Sequence, residues 1–370
     1  MKVIKKMKWL VLLSVLIHSQ NRAHAQFEDS SKQDAAFYTI ADFVSVQKFD
    51  AHVHIRTLDT TFVHQAKKDN FRLVSIVVDE DPGIQLQQKN AIYQKRHSPS
   101  VVSFATTLSV KDFENPRWKK ETISDLKKSL SKGAIAVKIY KNIGMELRDS
   151  AGNFIMIDNS KFDSVLDFLA QHHIPVIGHL GEPKNCWLPI DEMTMNQDKR
   201  YYSRHPEYYM YLHPEYPSYE DQVNARDRML EKHPNLHFIG AHLGSLEWDT
   251  DELAKRLDRF PNMAVDMAAR ISNLQYLAMK DWQKVYDFFI KYQDRLIYGT
   301  DRIVDGTKSA AEVEDFVHTA WLKDWQFFCT NDKMNSNSFE GDFKGLNLPK
   351  EVIDKIYRKN AEKWFPLLRK

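Results

Sequence analysis

Eight short apolar runs alternate with longer amphipathic segments along most of this 370-residue chain, and this alternation restricts the fold more than any other feature. The apolar runs are Lys48–His54, Leu73–Val78, Val101–Thr107, Ala134–Tyr140, Pro175–His179, Leu236–His242, Met263–Met267 and Leu296–Asp301. Helical patterns lie between them, for example Trp118–Ser131, Lys161–His172, Tyr219–Lys232, Thr250–Arg259 and Trp282–Gln293. Strands that alternate with helices pair in parallel, and eight such units close into a barrel. We therefore predict an α/β fold, a (β/α)8 TIM barrel, as one domain over residues 46–370.

The first 25 residues have the layout of a secretory signal peptide. A lysine-rich start is followed by the apolar stretch Trp9–Ile17 and by the small-residue sequence Ala23-His24-Ala25. A membrane-spanning helix needs about 20 apolar residues, so this stretch is too short to anchor the chain. We expect cleavage near Ala25 and export to the periplasm or the medium, without membrane association afterwards. Residues 26–45 are polar and irregular, and we expect an N-terminal arm there.

Charge and cysteine content exclude two classes of protein. The leader holds four lysines and Arg22 but no acidic residue, whereas the whole chain has a formal net charge of +2. The remaining chain is therefore faintly acidic and lacks the basic character of a nucleic-acid-binding protein. Two cysteines, Cys186 and Cys329, cannot build a disulfide framework. We expect two separate thiols, with a single disulfide between them as the alternative.

Residues of metal-binding types stand at the ends of five predicted strands. His52 and His54 project from one face of the first strand, because side chains alternate along a strand. The fourth, fifth, sixth and eighth strands end in Lys138, His179, His242 and Asp301. Each residue alone has an ordinary explanation, such as a rim histidine, an ion pair or a helix N-cap. If these polar side chains gather at one barrel mouth, their burial costs free energy unless they bind a shared cation. The set predicts a divalent-metal site and hydrolysis by an activated water.

The fourth strand illustrates the expected division between inner and outer faces. One face, expected to lie under the outer helices, carries Ile135, Val137 and Ile139. The opposite face, expected toward the barrel interior, carries Ala134, Ala136 and Lys138. Active sites of such barrels are built where the carboxyl ends of the strands meet, which is where Lys138 would lie.

Three further charged residues lie near the predicted strand ends. Asp50 has the same parity as the two histidines of the first strand. It would either orient a ligand imidazole or serve a structural hydrogen bond, and both readings stay open. Arg270 follows the seventh strand and Arg302 follows Asp301. Each arginine is a candidate for binding a substrate carboxylate, with a structural salt bridge as the alternative.

The connection from Glu182 to Pro217 is long and has no clear helical pattern. It carries the aromatic residues Trp187, Tyr201, Tyr202, Tyr208, Tyr209, Tyr211 and Tyr216. Connections beyond about 12–15 residues are mostly functional or disordered, and disordered segments are poor in aromatic residues. We interpret it as a lid or pocket wall, with Trp187 and Tyr209 as candidates for substrate binding. A structural packing arm is the alternative.

Five segments, in this order, carry a resemblance to a known family. They are Phe49-Asp50-Ala51-His52-Val53-His54, Gly178-His179, Gly240-Ala241-His242-Leu243-Gly244, Tyr298-Gly299-Thr300-Asp301 and Ile356-Tyr357-Arg358-Lys359-Asn360-Ala361. From about Phe49 to its C-terminus the chain resembles the amidohydrolase superfamily. Within it, the chain resembles the amidohydrolase-related (amidohydrolase 2) family of metal-dependent TIM-barrel hydrolases.

The resemblance implies roles for the strand-end residues. It implies that His52, His54, His179 and Asp301 bind a catalytic metal. His242 would polarise the substrate, hold the attacking water or bind a second ion. Lys138 is ambiguous: in two-metal relatives a lysine at this place is carboxylated and bridges both ions, and in one-metal relatives this bridge is missing. We favour a second ion or a carboxylated Lys138.

The resemblance and the set of donors together predict a hydrolase that cleaves a C–O or C–N bond in a small lactone, ester or amide. Zinc, as one or two ions, is the expected metal because nitrogen-rich sites with one carboxylate suit it, and manganese or iron are the alternatives. Asp301 is the expected general base. A non-oxidative decarboxylase is the second reading, which export disfavours, and an inactive binding barrel is the third. The residue order leaves the substrate and the oligomeric state open.

Overall fold

The computed structural model describes residues 36–369. The expected signal peptide, 1–25, and the first part of the expected arm therefore lie outside the described residues. The strands are β1 Lys48–Ile55, β2 Phe71–Ile76, β3 Val102–Thr107, β4 Ala134–Ile139, β5 Val176–Gly178, β6 Phe238–Gly240, β7 Met263–Asp266, β8 Leu296–Ile297, β9 Arg302–Val304, β10 Lys333–Asn335 and β11 Asp342–Lys344.

The helices lie mainly between consecutive strands, as in repeated βα units. The α-helices are α1 Thr61–Lys68, α2 Ile84–His97, α3 Trp118–Ser131, α4 Asn142–Met145, α5 Asp163–Gln171, α6 Asn196–Arg204, α7 Tyr219–Lys232, α8 Thr250–Arg259, α9 Ile271–Lys280, α10 Trp282–Tyr292, α11 Ala310–Cys329, α12 Lys350–Asp354 and α13 Asn360–Trp364. Short 3-10 turns are Ile40–Asp42, Lys184–Trp187, Pro206–Tyr208, Met210–Leu212, Ala241–Ser245 and Pro366–Arg369, and Lys355–Lys359 is a π-helix. Within residues 36–369 no helix combines the length and the apolar character needed to cross a membrane.

Nine parallel strands form one curled sheet in the order β8-β7-β6-β5-β4-β3-β2-β1-β9. The segment from β8 to β9 joins both edges of this sheet. Its first residues pair with β7, and its last residues pair with β1. Between them, the N–H of Ala51 donates to the carbonyl of Tyr298 at 3.0 Å. These bonds produce the TIM-barrel fold, in which the carboxyl ends of all strands meet at one mouth.

The sequence predictions match most of these elements. All eight predicted strands are present, with shifted ends, and the helices Trp118–Ser131, Tyr219–Lys232 and Thr250–Arg259 agree residue for residue. The last strand differs, because it was predicted as one run to Asp301. The structure interrupts it after Ile297 and resumes at Arg302. Asp301 itself has a φ of 62°, which no strand residue adopts.

Two apolar layers surround the sheet. The larger one lies between the strands and the outer helices and includes Val53 and Val137. The smaller one fills the barrel interior and includes Phe49, Ala51 and Ile239. The register of β1 shifts between Asp50 and Val53. Because of this shift, Phe49 and Ala51 lie in the interior layer, although they have the opposite parity to His52 and His54.

A similar shift between β3 and β4 corrects part of the predicted face pattern of β4. Val137 lies in the outer layer and Ala136 in the interior layer, as expected. Ile135, however, lies in the interior layer, whereas Ala134 packs with Phe104 outside it. The pairing of β3 with β4 is irregular between Phe104 and Thr106. A shift of one residue exchanges the two faces of a strand, which explains the wrong assignment of the first two residues.

The connection between β5 and α7 also differs from its prediction. It contains the helix α6, Asn196–Arg204, where no helix was expected. Most of α6 is polar and only Tyr202 is buried, so the sequence lacks the apolar periodicity by which a helix is recognised. Cys186 and Tyr209 pack beside Tyr202 in a small separate cluster. Cys186 and Cys329 are both buried, free thiols, as expected.

Candidate metal centre

The side chains of His52 and His54 lie inside the barrel mouth with their Nε2 atoms free of backbone partners. Nδ1 of His52 donates to the carboxylate of Asp266 at 2.8 Å. Nδ1 of His54 donates to the carbonyl of Ile76 at 2.8 Å. Each hydrogen bond fixes the tautomer that leaves a lone pair on Nε2, which is the form that a metal ion requires.

Asp301 brings a carboxylate to both imidazoles. Its Oδ1 atom lies 3.2 Å from Nε2 of His54 and 3.4 Å from Nε2 of His52. The three ligand atoms lie within 4.8 Å of one another. Although burial opposes it, the imidazoles of His242 and His54 hold the pKa of Asp301 well below its usual range. The group therefore offers two imidazole nitrogens and one anionic carboxylate oxygen as donors.

His179 and His242 lie beside this group of three. Their rings are 4.2 Å apart, and the ring of His242 is 5.0 Å from that of His52. Nδ1 of His242 donates to the carbonyl of Ala268 at 2.8 Å. Nε2 of His179 is buried and has no hydrogen-bond partner within the described part of the chain. Mainly through burial, the pKa of His179 falls well below its usual range, and that of His242 falls to about 3.

Lys138 ends β4 at the same place. It is 1% exposed, and its Nζ atom lies 3.4 Å from Nε2 of His52. Burial lowers the pKa of Lys138 to about 8, although Asp266 and Asp301 act in the opposite direction. The fold thus brings all six predicted strand-end residues into one neighbourhood, with His52, His54 and Asp301 at its centre and His179, His242 and Lys138 around it.

These residues fit a divalent cation. Two imidazole Nε2 atoms and a carboxylate oxygen already face one point, and the unpartnered Nε2 of His179 supplies a buried polar atom that no protein group satisfies. A buried nitrogen without a partner costs about 1–3 kcal/mol. Nitrogen donors with one carboxylate are a typical divalent-metal set. The carboxylates of Asp301 and Asp266 offset the positive charge of such an ion.

The residues 114–367 match the model of the amidohydrolase family. The chain belongs to this family. Among solved structures, 2,6-dihydroxybenzoate decarboxylase from Rhizobium is similar, with a TM-score of 0.52 and 14% identity over 87% of this chain and 99% of that one. A 2,6-dihydroxybenzoate decarboxylase complexed with 2,6-dihydroxybenzoate has a TM-score of 0.51 and 14% identity, over 87% of this chain and 99% of that one. Amidohydrolase 2 from Bifidobacterium longum subsp. infantis has a TM-score of 0.44 and 13% identity, over 87% of this chain and 99% of that one. A search of the curated proteins found no match.

This amidohydrolase is therefore a metal-dependent enzyme, since family membership and the three converging donors agree. The similarity to the solved decarboxylase is a similarity of fold. It places the carboxyl ends of the strands, where these donors lie, at the end of the barrel that carries active sites. Neither the family membership nor the three converging donors favours an inactive binding barrel.

Asp50 corrects a prediction about the first strand. Its parity suggested an inward side chain, but the register shift in β1 turns it toward the segment between β8 and β9. Its carboxylate accepts hydrogen bonds from the backbone N–H and the hydroxyl of Thr300, at 3.0 and 2.6 Å, and from Nε1 of Trp321 at 2.9 Å. Burial raises the pKa of Asp50 to about 6. Asp50 therefore holds the segment that carries Asp301 and does not touch a ligand imidazole.

Asp266 is the functional residue that the sequence analysis missed. It ends β7, is 1% exposed, and also accepts a hydrogen bond from the backbone N–H of His242 at 2.9 Å. Although burial opposes it, His52 and His242 lower the pKa of Asp266 to about 2. A carboxylate within the apolar run Met263–Met267 was the available signal, because an acidic residue in a buried strand needs a partner.

The four candidates for substrate binding lie in different places. The charge of Arg270 lowers the pKa of His179 and His242, and although burial opposes it, Glu247 and Asp198 raise the pKa of Arg270 itself. Arg302 stacks on Phe316 of α11. Trp187 donates to the carbonyl of Pro217 at 3.3 Å, and Tyr209 donates to that of Leu188 at 2.6 Å. These two contacts are of the kind that a packing arm makes, and substrate binding by either aromatic residue stays a prediction.

Proposed function

We propose that this amidohydrolase hydrolyses a C–O or C–N bond of a small molecule, a lactone, ester or amide. The convergence of His52, His54 and Asp301 on one point at the barrel mouth carries the proposal. The buried, unpartnered Nε2 of His179 supports a fourth donor. A small molecule as the partner is in line with the solved decarboxylase of similar fold, which is complexed with 2,6-dihydroxybenzoate.

The proposed ligands of the ion are Nε2 of His52, His54 and His179 and the carboxylate of Asp301. We propose zinc, with manganese or iron as the alternatives, because the donors are mostly nitrogen. When bound, the ion supplies a Lewis acid for a scissile carbonyl and lowers the pKa of water from about 15.7 toward about 7. Asp266 keeps the His52 imidazole in the ligating tautomer.

Asp301 is the proposed general base. The carboxylate is ionised, and its position against both imidazoles leaves it partly exposed at the mouth. It would take a proton from the attacking water and deliver it to the leaving group, a contribution of typically about 10²–10⁴ in rate. Its backbone N–H donates to the carbonyl of His52 at 2.7 Å, which holds the carboxylate in place.

The proposed role of His242 is to hold the attacking water. Because Nδ1 donates to the carbonyl of Ala268, the neutral ring has a lone pair and no hydrogen on Nε2. Such a nitrogen accepts a hydrogen bond from water, whereas polarising a substrate carbonyl requires a donor. The hydrogen bond of His242 therefore supports holding the attacking water over polarising the substrate, among the roles that the resemblance implies.

Lys138 remains the residue that decides between one ion and two. We propose that it is carboxylated and would help to hold a second ion; with that ion present, Nε2 of His242 would be its ligand in place of holding the water. Its complete burial within 3.4 Å of Nε2 of His52 supports a place for it in the metal centre. Native mass spectrometry of the purified protein would detect the additional carboxylate and the number of ions together.

Metal analysis and a substrate screen test the proposal. The purified protein should contain at least one divalent ion for each chain and should hydrolyse at least one member of a panel of lactones, esters and amides. His54→Ala should lose the metal and the activity. His172→Ala is the matched control, because His172 is exposed on the far side of the fold. A metal-free, inactive wild-type protein of native stability would contradict the proposal.

Non-oxidative decarboxylation is the second candidate. A specific observation favours it: Nε of Arg270 is buried without a hydrogen-bond partner among the described residues, and the charge of Arg270 lowers the pKa of His179 and His242, so this guanidinium could hold a substrate carboxylate. The solved decarboxylase from Rhizobium has a similar fold. Measurement of carbon dioxide release against aromatic acids, in parallel with alkali uptake against lactones and esters, separates the two reactions.

We also propose that the chain is exported and cleaved near Ala25. The support is the layout of its first 25 residues. N-terminal sequencing of the protein recovered from its natural compartment should begin at Gln26. A mature protein that begins at Met1 would contradict export.

A further inference from the structure

A cavity of about 650 Å³ lies beside the metal centre, and Asp301 forms part of its wall. The other walls are the residues next to Asp301, the start of α9, one face of α11 and the hairpin of β10 and β11. A volume of this size accommodates a small organic molecule. A substrate that reacts at Asp301 therefore has room here for the part of it that does not react.

One wall offers polar groups that the protein leaves unused. Gln275 is only 7% exposed, yet its carboxamide has no hydrogen-bond partner within residues 36–369. Ser272 lies one turn earlier on the same face of α9, and its hydroxyl likewise lacks a partner among the described residues. A carboxamide and a hydroxyl both donate and accept, so their natural ligands are the hydroxyl groups of a bound molecule.

The neighbouring wall offers the cation Arg302, whose charge also lowers the pKa of Asp324 in the same wall. The guanidinium carbon of Arg302 lies 3.9 Å from the centroid of the Phe316 ring, and the arginine lines the same cavity. No carboxylate in the described part of the chain forms an ion pair with it. Asp324, in the same wall, accepts the hydroxyl of Tyr298 at 2.7 Å. The ring orients the planar guanidinium, and its N–H groups match a carboxylate.

We propose that this cavity binds the non-reacting part of a hydroxylated acid. A free carboxylate of the substrate binds Arg302, and its hydroxyl groups bind Gln275 and Ser272. The proposal rests on the proposed function, because it takes Asp301 as the reacting centre. The substrate class is then a lactone, ester or amide of a polyhydroxy acid that keeps one carboxylate free.

Three six-carbon ligands test the two halves of this proposal separately. Gluconate carries hydroxyls and a carboxylate, sorbitol carries only hydroxyls, and hexanoate carries only a carboxylate. Calorimetry with the purified protein should show the tightest binding for gluconate. Arg302→Gln should weaken gluconate and hexanoate about tenfold and leave sorbitol unchanged. Gln275→Leu should weaken gluconate and sorbitol and leave hexanoate unchanged.

Two controls test whether the effect of Arg302 belongs to this cavity. Lys308→Gln removes a cation whose Nζ lies 5.6 Å from the same Phe316 ring but which does not line the cavity, so it should change nothing. Arg302→Lys should restore part of the affinity for gluconate. If gluconate binds no tighter than sorbitol or hexanoate, or if Arg302→Gln leaves its affinity unchanged, the proposal is wrong. Binding that follows the expected pattern without any hydrolysis would instead contradict the proposed function alone.

Discussion

At the scale of single residues, Asp301 shows how the backbone serves the site. Its φ of 62° lies in a region that residues other than glycine rarely adopt. Two contacts stabilise this conformation: the N–H of Asp301 donates to the carbonyl of His52, and the carboxylate of Asp50 accepts a hydrogen bond from the backbone N–H of Thr300. The bend interrupts the last strand and turns the carboxylate toward both imidazoles of β1.

Replacing the carboxylate of Asp301 separates its two roles. We expect Asp301→Asn to retain much of the metal, because the amide oxygen can still face the imidazoles. Turnover should fall by about 10²–10⁴ because an amide cannot take up the proton. Steady-state kinetics together with metal analysis of the same preparation check this. Asp305→Asn, an exposed neighbour, is the control, and a near wild-type rate in Asp301→Asn would exclude the role of general base.

Asp266 should act on the metal through His52. In Asp266→Asn the amide can present its NH₂ group to Nδ1 of His52, where the carboxylate accepted a hydrogen bond. The imidazole then loses the tautomer that ligates through Nε2, and we expect metal affinity to fall about 10–100-fold. Competition with a chelator measures the affinity. The exposed Asp258 provides the control variant Asp258→Asn, and equal affinities in both variants would remove Asp266 from the centre.

Asp324 should give the fold a specific dependence on pH. Burial raises the pKa of Asp324 to about 7, although its hydrogen bond with Tyr298 opposes this. A carboxyl group whose pKa is higher in the folded state stabilises the fold below its unfolded pKa, and this contribution is lost as the pH rises through about 7.

We therefore expect Asp324→Asn, which is always neutral, to lose less free energy of unfolding than the wild type between about pH 5 and about pH 8. Urea denaturation across this range measures the difference. Asp315→Asn, exposed on the same helix, should follow the wild type. Parallel curves for the wild type and Asp324→Asn would show that the carboxyl group does not titrate in this range.

At the scale of elements, the contact between β1 and the segment after β8 determines the geometry of the centre. A Cβ atom built on Gly299 would lie 2.9 Å from Cβ of His52, closer than packed carbon atoms come. We expect Gly299→Ala to displace His52, to weaken metal binding and to destabilise the fold by about 1–3 kcal/mol. Chelator competition and urea denaturation measure the two effects.

Gly83→Ala is the control for this substitution. Gly83 has a φ of 91°, so an alanine there strains the backbone, but its Cβ would meet no atom within 4 Å. It should lower stability without changing metal affinity. If Gly299→Ala also leaves the affinity unchanged, His52 does not depend on this contact.

The order of the elements was predictable because each strand and most helices have an apolar pattern of their own. The helices α3, α7 and α8 begin and end where the sequence patterns do. The helix α6 was not predictable, since its residues are nearly all polar and its one buried residue, Tyr202, packs in a small cluster with Cys186 and Tyr209 of the same connection. Local patterns therefore identify an element that packs one face on the core, and they miss one that packs a single side chain.

The residues of the site were likewise predictable only where a local sequence pattern reveals them. His52, His54 and Asp301 could be found because strand parity and strand ends are visible in the sequence, and the barrel brings strand ends together. The register shift in β1 cannot be read from the chain, because it depends on how β1 pairs with β2. For this reason Asp50 was placed on the wrong side. Asp266 was overlooked although its acidic side chain in an apolar run was visible.

At the scale of the whole molecule, the two ends of the barrel have different tasks. The metal donors occupy the mouth, where the strands end. The opposite end is closed by the C-terminal residues Trp364 and Phe365, which pack in the interior layer with Phe49 and Ile135 at the starts of their strands. Barrel enzymes generally place activity at the first end and stability at the second. Metal binding and folding stability should therefore respond to different substitutions.

Phe365→Ala tests this separation. Phe365 is 1% exposed, and removing its ring from the interior layer should cost about 3–5 kcal/mol of unfolding free energy. Because the ring lies at the closed end, metal affinity and KM should stay at their wild-type values in the fraction that is folded. Urea denaturation, chelator competition and steady-state kinetics on one preparation provide the comparison, with Leu212→Ala, 53% exposed, as the control. A loss of metal affinity in Phe365→Ala at full folding would mean that the packing of the closed end determines the positions of the donors at the mouth.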